Sequence, residues 1–360
     1  MNSLCYHCNM KPQTNNYPLI SIVIATFNSE KTLTLTLNSI KKQTYPKENI
    51  EVLIVDGGST DATKTIAKKY HCQIISNPQT ELIFAKQIGL KKAKGEYLIY
   101  LDSDEVLENS SSLMLKYSTF QKNKKIKAVI LGGYKTPANY ASINNYINEF
   151  GDPFSFFVYR ESKGNLFFYK DWSKKYKDIT VLDDKDCIVF NFPRITTLPL
   201  IELWAGGSMI DLAYTKKTFP TLPSNPDLIA HLFYLLNKKK NLLALTKNDN
   251  TIHYSCSSIP SYLKKLQSRI KNNIFQTEMG KGGYSGRELF EGFLFKLKKY
   301  LFIPYSFSLA HLDSLYLAFT RKKTVYLLHG FLCLYSTFLI SYYYCLKCLH
   351  IPPVLKTYGR

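Results

Sequence analysis

The stretch Tyr97-Leu98-Ile99-Tyr100-Leu101-Asp102-Ser103-Asp104 decides the fold, because five apolar or aromatic residues lead directly into a pair of carboxylates. A continuous apolar run of this kind is typical of a strand that is buried on both faces of a parallel sheet. Ligands of open α/β sheets bind outside the carboxyl ends of the strands, which is where Asp102 and Asp104 fall. If the strand continues to Asp104, both side chains leave the same face.

Two carboxylates in this position allow two interpretations. They are hard oxygen ligands, which suit a Mg²⁺ or Mn²⁺ ion that also holds substrate phosphates. The plainer interpretation is an Asp-Ser-Asp loop that ends the strand and caps the next helix. The surrounding sequence has to decide between them.

Three predicted strands, each followed by a helix, precede this run. The strands cover residues 18–28, 50–56 and 73–76. We expect Ser29 to cap the first helix, Ser59 or Thr60 to cap the second, and Gly95 to end the third, which covers residues 84–94. The order βαβαβαβ predicts a parallel sheet in an α/β fold, for which nucleotide binding is a common use.

The charge of the chain predicts an anionic partner. Its 360 residues carry a net charge of +20 and have a pI of about 9.4, and 45% of them are hydrophobic, which is enough for a packed core. Nucleic acid, a phosphorylated substrate and an acidic membrane surface are the candidate partners. Three acidic residues at the predicted ligand edge argue against nucleic acid: Asp56, Asp102 and Asp104.

Four segments, in this order and spacing, resemble the nucleotide-binding half of a family 2 glycosyltransferase of the GT-A fold. They are Ile24–Asn28, Val55–Asp61, Ala93–Tyr97 and Leu101–Asp104. The resemblance covers residues 18–110 well and is thin afterwards. It implies a Rossmann-like, nucleotide-binding α/β sandwich and an inverting enzyme that uses a nucleotide-diphosphate sugar and Mg²⁺ or Mn²⁺.

The resemblance also implies roles in donor binding. Thr26, Asn28 and Glu30 match the loop that borders the base and the ribose, and Asp56 matches the aspartate that accepts a hydrogen bond from the nucleobase. The family usually has a second acidic residue where this chain has Gly57.

Asp102, Ser103 and Asp104 match the DxD motif that holds the metal ion and the ribose–diphosphate. Lys86 stands where the family often has arginine. A lysine keeps the positive charge for a phosphate but lacks the bidentate fork of arginine, which leaves the choice of donor open.

The acceptor half is expected at residues 111–258. By resemblance, Gly206-Gly207 opens the acceptor pocket, and His253 can approach the diphosphate or the metal. A predicted helix runs from Asn225 to Asn237, and the family places its catalytic base in a Glu-Asp pair at the start of such a helix. Here the pair is Pro226-Asp227, so only Asp227 can serve. An aspartate in a first turn can also complement the helix dipole without any catalytic duty.

The C-terminal part predicts a membrane attachment. Residues 259–323 are rich in lysine and arginine interleaved with large apolar residues, which is the composition of helices that lie in a membrane interface. Residues 324–346 contain no charged side chain and are long enough for a transmembrane helix. A monotopic hairpin or a buried helix pair is the alternative. Residues 1–17 and 347–360 are predicted tails.

Taken together, the sequence predicts a membrane-associated glycosyltransferase with its catalytic domain, residues 18–258, in the cytoplasm. Its expected partners are a nucleotide-diphosphate sugar, a glycan or polyprenyl-linked acceptor and membrane lipids, and no nucleic acid. The alternative is a catalytically weak relative that binds a nucleotide sugar or a glycan as an assembly component, since the glutamate before Asp227 is missing.

Overall fold

The computed structural model describes residues 17–192, 198–199, 201–275 and 293–354. Its strands, in chain order, are β1 (Ile20–Thr26), β2 (Ile50–Asp56), β3 (Gln73–Ser76), β4 (Tyr97–Asp102), β5 (Glu105–Leu107), β6 (Ile126–Ile130), β7 (Gly133–Lys135), β8 (Thr180–Asp183), β9 (Cys187–Phe190), β10 (Ser208–Asp211), β11 (Leu242–Thr246) and β12 (Asn250–His253).

The strands are accompanied by helices along the whole described chain. These are α1 (Leu33–Lys41), α2 (Thr63–Lys69), α3 (Leu82–Lys92), α4 (Ser112–Lys122), α5 (Ile143–Phe150), α6 (Pro153–Tyr159), α7 (Phe168–Lys175), α8 (Leu212–Thr218), α9 (Leu232–Lys238), α10 (Ile259–Phe275), α11 (Phe293–Phe307), α12 (Leu309–Arg321) and α13 (Leu328–Cys348).

Nine strands form one mixed sheet in the order β3-β2-β1-β4-β10-β6-β11-β9-β8. The first four run parallel to one another, as the βαβαβαβ pattern predicts, and β10 then pairs antiparallel with β4. Side chains alternate between two hydrophobic clusters, one on each face of the sheet. Along β4, Leu98 and Tyr100 pack into one cluster, and Ile99 and Leu101 into the other. Burial on both faces explains why this strand is a continuous apolar run.

A second sheet, in the order β5-β12-β7, brings distant parts of the chain to the end of β4. β5 starts three residues after β4 ends, and β12 pairs antiparallel with it so that His253 lies opposite Glu105. Asp104 therefore lies in the turn between β4 and β5. The condition for both aspartates to leave the same face is therefore not met, because the chain turns there to enter the second sheet.

The bounds of the strands follow the sequence closely, whereas the helix caps do not. α1 begins after Thr32, and Ser29 contributes only its backbone carbonyl, which accepts from the Leu33 amide at 3.0 Å. At the start of α2 the capping acceptor is Asp61, whose Oδ1 accepts from the Thr63 amide at 3.0 Å. The predicted caps Ser29 and Ser59 or Thr60 are therefore wrong.

Two further helix ends differ from the prediction. α3 ends at Lys92, and Gly95 has another role, because a Cβ there would lie 2.6 Å from the carbonyl oxygen of Leu19. The helix predicted from Asn225 is divided into a 3-10 helix, Pro226–His231, and α9.

The C-terminal helices share a core with the rest of the protein. Ile143 and Tyr146 of α5 pack in one cluster with Tyr262 of α10, Leu317 of α12 and Leu332 of α13. Thr324–Cys348 is the only segment in the described chain that is long and apolar enough to cross a membrane, judged by length and composition. The division at residue 258 stays a prediction, and the packing across it is extensive.

Candidate active site

The carboxyl ends of β1, β2 and β4 bring the predicted donor-binding residues to one edge of the sheet. Thr26 lies opposite Asp56 in the register of β1 and β2, and Ala25 lies opposite Asp102 in that of β1 and β4. Since parallel strands end at the same edge, the loops that follow them converge there. The predicted donor site is therefore assembled at one place.

Asp56 is a buried carboxylate that organises the turn after β2. Oδ1 accepts hydrogen bonds from the hydroxyls of Thr26, at 3.0 Å, and Ser59. Oδ2 accepts from the backbone amides of Gly58, at 3.1 Å, and Ser59, at 2.9 Å. A carboxylate offers about four lone-pair sites, so these donors use its whole capacity. The hydrogen bond to a nucleobase stays a prediction, and it would have to replace one of these four.

The loops after β1 and β2 are joined by reciprocal hydrogen bonds. Asn28 lies in the left-handed region with φ of 47°, and its Oδ1 accepts from the Thr60 amide at 2.9 Å. The Glu30 amide donates to Asp61 at 3.1 Å, while a Glu30 carboxylate oxygen accepts from the Ala62 amide at 3.1 Å. The two loops therefore form one unit, in which Asn28 and Glu30 hold the loop backbone.

Asp102 is paired with a buried lysine. Lys86 of α3 is fully buried, and its Nζ lies 2.5 Å from Oδ1 of Asp102, whose side chain is partly exposed. Lys86 also lies 5.4 Å from the ring centroid of Tyr100, and its backbone carbonyl accepts from the Tyr100 hydroxyl at 3.0 Å. Ser103, next in the turn, donates to the Ser29 hydroxyl at 2.9 Å. The charge of Asp102 compensates the cost of burying the Lys86 ammonium group. The rest of the Asp102 side chain faces solvent.

Asp104 faces His253 from the second sheet. Oδ2 of Asp104 lies 3.6 Å from Nε2 of His253, and the backbone carbonyl of Asp104 accepts from the Tyr254 amide at 2.9 Å. Burial disfavours both charged forms, but the charge of the partner, together with that of Lys265 for Asp104 and of Glu105 for His253, more than offsets it. The pKa of the Asp104 carboxyl is therefore lowered, and the pKa of the His253 imidazole is raised.

Asn148 fixes the orientation of this imidazole. Its Nδ2 faces three acceptors, the carbonyls of His253, at 3.2 Å, and Lys135, at 3.5 Å, and the hydroxyl of Thr136, at 3.3 Å. The amide oxygen must then be the atom that faces Nδ1 of His253 at 2.8 Å, so Nδ1 carries the proton and donates. Nε2 is left facing the carboxylate of Asp104, and in the neutral ring it offers a lone pair there.

Glu105 lies beneath the turn as a third carboxylate. It is only 1% exposed, and its Oε2 accepts from the amides of Asp102 and Gly206, both at 2.8 Å. Its Oε1 accepts from the Tyr134 hydroxyl at 3.2 Å. Burial, followed by the charge of Asp102, raises the pKa of Glu105 to about 7. This carboxylate joins the DxD turn to the glycine pair.

Gly206 and Gly207 require glycine for conformational and steric reasons. Both lie in the left-handed region, with φ of 72° and 73°. A Cβ on Gly206 would lie 2.6 Å from the Tyr134 hydroxyl, and one on Gly207 would lie 2.9 Å from Leu107. The Gly206 amide is also the donor to Glu105, so the pair lies directly beside the DxD turn. Its predicted contact with an acceptor remains a prediction.

The predicted base, Asp227, lies in the 3-10 helix Pro226–His231, and its side chain is outside the described part of the chain. The preceding segment is held to α3, because Gln87 donates to the Pro223 carbonyl at 3.1 Å. Gln87 is the neighbour of Lys86. The helix that carries Asp227 therefore follows directly on a segment anchored beside the lysine of the donor site.

The donor atoms present fit a divalent cation at Asp104 and His253. In the neutral imidazole, Nε2 carries a lone pair and faces a carboxylate oxygen, and the other ring nitrogen already has a fixed partner, as metal-binding histidines usually do. Asp102 is held by Lys86 instead, and within the described residues no group of three His, Cys, Asp or Glu side chains converges on one point.

Two members of the site were not predicted from the sequence, Glu105 and Asn148. Glu105 follows Asp104 directly, and its signal was a third acidic residue at the end of the DxD motif. Asn148 had no usable signal, since it lies in an aromatic-rich helix 105 residues from the histidine that it orients. Both roles depend on the pairing of β12 with β5 and β7.

Residues 21–180 match the family model described as Glycosyl transferase family 2. A dolichyl N-acetyl-alpha-D-glucosaminyl phosphate 3-beta-D-2,3-diacetamido-2,3-dideoxy-beta-D-glucuronosyltransferase of Methanococcus voltae is 37% identical over 120 residues, which is 31% of this chain and 37% of that enzyme. The poly(ribitol-phosphate) beta-N-acetylglucosaminyltransferase TarS of Staphylococcus aureus is 36% identical over 97 residues, 25% of this chain and 17% of that enzyme.

Each match thus spans well under half of the relative's own length. Among solved structures, the mannosyltransferase PcManGT of Pyrobaculum calidifontis, in complex with GDP-Man and Mn²⁺, has a TM-score of 0.49 at 11% identity, covering 91% of this chain and 88% of that one. That score is too low to align the sites residue by residue. The matched residues include all four motifs on which the resemblance is based. Residues 21–180 of this chain match the model of glycosyl transferase family 2, which confirms the resemblance.

Proposed function

We propose that this protein is an inverting glycosyltransferase that moves a sugar from a nucleotide-diphosphate sugar to a hydroxyl of a glycan or a lipid-linked acceptor. One observation carries the proposal. Lys86, Asp102, Asp104 and His253 lie together at the carboxyl edge of the parallel strands, within or beside a glycosyl transferase family 2 domain. This edge is where an α/β sheet of the GT-A type would bind a nucleotide.

In this proposal the diphosphate of the donor lies at the DxD turn. Asp104 and His253 would hold a Mg²⁺ or Mn²⁺ ion, with Asp102 as a further ligand once it releases Lys86. When bound, the cation neutralises the negative charge that develops on the departing diphosphate. Lys86 would then be available to a phosphate oxygen, since its present partner would have turned to the metal. Thr26, Asn28, Glu30 and Asp56 would border the base and the ribose.

Asp227 would serve as the general base. It would take the proton from the acceptor hydroxyl while the hydroxyl oxygen bonds to the anomeric carbon and the bond to the diphosphate breaks on the opposite side. This displacement inverts the anomeric configuration. A positioned base of this kind contributes roughly 10²–10⁴-fold to the rate. Gly206 and Gly207 would form the wall along which the acceptor approaches.

The acceptor that fits best is anionic and membrane-bound. The names of the two relatives describe acceptors that contain phosphate, a dolichyl-linked sugar phosphate and a poly(ribitol phosphate). The net charge of +20 suits such an acceptor and an acidic lipid surface. We therefore propose a polyprenyl-linked or polymeric acceptor, with the catalytic domain on the cytoplasmic side of the membrane, where nucleotide sugars are available.

The second candidate is a catalytically weak relative that binds a nucleotide sugar as an assembly component. The observation that favours it is the ion pair between Lys86 and Asp102, which occupies a carboxylate that the metal would need. Turnover separates the two candidates, because only an enzyme consumes the donor.

The test is a screen of nucleotide sugars by thermal stabilisation with and without Mn²⁺, followed by transfer or donor hydrolysis with the best binder. Ligand binding to the native state raises its melting temperature by mass action. We expect turnover with metal and none with a chelator. Asp227→Asn should keep donor binding and lose roughly 10²-fold or more in turnover. Asp178→Asn, at an exposed position, is the matched control. Full turnover in Asp227→Asn would show that Asp227 is not the general base.

A further inference from the structure

We infer that the helices α11–α13 form a lipid-binding face that lies in the plane of an anionic membrane, and that α13 does not cross it. The inference deepens the proposed membrane association and does not depend on sugar transfer. Its starting point is an apolar face that is exposed in the described structure. We define the apolar face by Phe307, Leu309, Leu312, Tyr316, Phe319 and Phe338, all large side chains exposed to solvent.

The apolar face is continuous and belongs mainly to α12. Residues 309, 312, 316 and 319 recur at intervals of three and four, which places them on one side of the helix. Phe319 is 85% exposed and Leu312 is 62% exposed. Phe307 precedes α12 directly, and its ring centroid lies 6.3 Å from that of Phe338 on α13. Large apolar side chains that are exposed together on a folded protein mark a protein or membrane contact.

The charges around the apolar face select an anionic lipid surface. Residues 293–354 contain seven lysines and arginines and a single acidic residue, Asp313. That acid is held by protein groups, since Arg160 lies 2.7 Å from it and the Tyr305 hydroxyl donates to it at 2.6 Å. Lys322 and Lys323, both exposed, lie three and four residues after Phe319 at the end of the apolar face. Apolar side chains bordered by cations are what an interfacial helix presents to acidic headgroups.

The packing of α13 argues for a position along the membrane. Near its start, Nδ1 of His329 lies 2.7 Å from the hydroxyl of Tyr146 on α5. Near its end, Gln267 of α10 donates to the Tyr343 hydroxyl at 3.1 Å, and Lys347 donates to the Ile274 carbonyl at 3.0 Å. Both ends of α13 are therefore attached to the same folded unit.

A spanning α13 would have to break these contacts or take α10 with it. α10 carries Lys264 and Arg269 as exposed cations. Charged side chains within the hydrocarbon region are costly, so α10 would resist insertion. If α10 stays outside the membrane and the apolar face lies in the membrane interface, the cations of α10 stay in water and α13 keeps its contacts with α10.

The first experiment is flotation of the full-length protein with vesicles of phosphatidylcholine alone and of an equimolar mixture with phosphatidylglycerol. We expect flotation with the mixed vesicles. Leu312→Glu/Phe319→Glu should reduce the bound fraction by about tenfold or more, because each substitution replaces an inserting side chain with an anion. Val181→Glu is the matched control, since Val181 is 52% exposed on β8, away from the apolar face. Equal flotation of all three proteins would overturn the inference.

The second experiment measures depth. Phe319→Trp and Phe338→Trp are prepared in a Trp172→Phe/Trp204→Phe background, and their fluorescence is quenched by lipids brominated at shallow or deep acyl positions. An in-plane bundle gives shallow quenching at both sites. Deep quenching at Phe338→Trp would mean that α13 spans. The remaining possibility is that a second copy of the protein covers the apolar face. Light scattering without lipid tests it, because a dimer that dissociates in Leu312→Glu would show that the face is a dimer interface.

Nucleotide binding, measured on the same proteins, keeps the two proposals apart. It should be equal in the face variants and the control. Loss of flotation with intact nucleotide binding supports the lipid face by itself, and intact flotation without any nucleotide binding would count against the proposed enzyme alone.

Discussion

Single side chains decide what each acidic residue of the DxD region can do. Asp102 faces a cation, Asp104 faces an imidazole, and Glu105 faces backbone amides. Three carboxylates within four positions of the chain thus have three different environments. The environment of Asp104 depends on Asn148, because Asn148 determines which ring nitrogen of His253 is turned to Asp104.

Replacing Asn148 should therefore weaken metal binding without touching a metal ligand. Asn148→Leu removes the acceptor of Nδ1, so the ring can move its proton to Nε2 and donate it to Asp104. We expect the affinity for Mn²⁺ to fall about 10–100-fold, the usual effect of losing such a partner. Mn²⁺ titration followed by electron paramagnetic resonance measures it, and the ¹⁵N shifts of the imidazole report the tautomer.

Asn148→Asp is the matched control, since a carboxylate keeps an acceptor for Nδ1. It should retain the tautomer and most of the affinity. Circular dichroism checks that the buried site still folds in both variants. An unchanged Mn²⁺ affinity in a folded Asn148→Leu protein would mean that the amide only supports the helix.

Glu105 should make stability depend on pH. Its pKa is raised from an ordinary value of 4.5 to about 7 in the folded protein, so the folded state binds more protons than the unfolded state between these values. The contribution of Glu105 to the free energy of unfolding should consequently be highest below pH 4.5 and should be lost as the pH rises through about 7. Glu105→Gln keeps an acceptor for the two amides and should remove that decrease.

Urea denaturation of metal-free protein across this pH range provides the measurement. Wild type and Glu105→Gln should diverge steadily towards neutral pH, with the variant the more stable of the two. Parallel curves for the two proteins would show that Glu105 titrates normally.

At the scale of elements, β10 and the glycine pair before it show what local geometry demands. Gly206→Ala forces a Cβ both into the left-handed region and against the Tyr134 hydroxyl. Gly151 has nearly the same φ, 76°, and a Cβ added there would meet nothing within 4 Å, so Gly151→Ala isolates the conformational cost.

We expect Gly151→Ala to lose about 1–2 kcal/mol of unfolding free energy. Gly206→Ala should lose more, because Tyr134 must move and its hydrogen bond to Glu105 with it. Chemical denaturation of both variants measures the difference. Equal losses would mean that Tyr134 adjusts without cost.

The elements also show where sequence reasoning succeeds. The bounds of β2 and β3 agree with the predicted ones, because apolar runs and flanking glycines or polar residues are local signals. The caps of α1 and α2 were missed, since the atoms that hold these helix starts are chosen by contacts between two loops about thirty residues apart. The end of β4 was missed for a similar reason. Its turn is fixed by Glu105 and by a strand that comes about 145 residues later.

The candidate site follows the same division. The motifs located Thr26, Asp56 and Asp102 at one edge, because strand ends are readable from the sequence. The contacts of Lys86 with Asp102 and of Asn148 with His253 could not be predicted, since both side chains reach the site from helices whose orientation depends on the packed core. Asp227 remains a prediction from resemblance.

At the scale of the whole molecule, the shared core of α5, α12 and α13 should make the described protein unfold as one unit. Leu332 of α13 is fully buried in that core. Leu332→Ala should cost about 2–5 kcal/mol of unfolding free energy, as truncation of a buried leucine usually does. Both tryptophans, Trp172 and Trp204, lie in the first 258 residues and report the unfolding of that part.

Tryptophan fluorescence during denaturation should therefore shift to lower denaturant in Leu332→Ala. Phe338→Ala removes a large side chain from the exposed side of the same helix and should leave the transition unchanged. A separate C-terminal appendage would predict no effect on the tryptophan signal in either variant.

The course of α10 has a consequence for how the two ends of the protein influence each other. Lys265 donates to the Ser255 hydroxyl at 3.0 Å, two residues from His253, while Gln267 on the same helix contacts Tyr343 of α13. Residues within one turn of α10 thus contact both the segment that follows His253 and helix α13 of the lipid-binding face. If binding of nucleotide or of lipid displaces α10, each ligand changes the affinity of the protein for the other. The factor by which vesicles tighten nucleotide binding must then equal the factor by which nucleotide tightens the hold on vesicles.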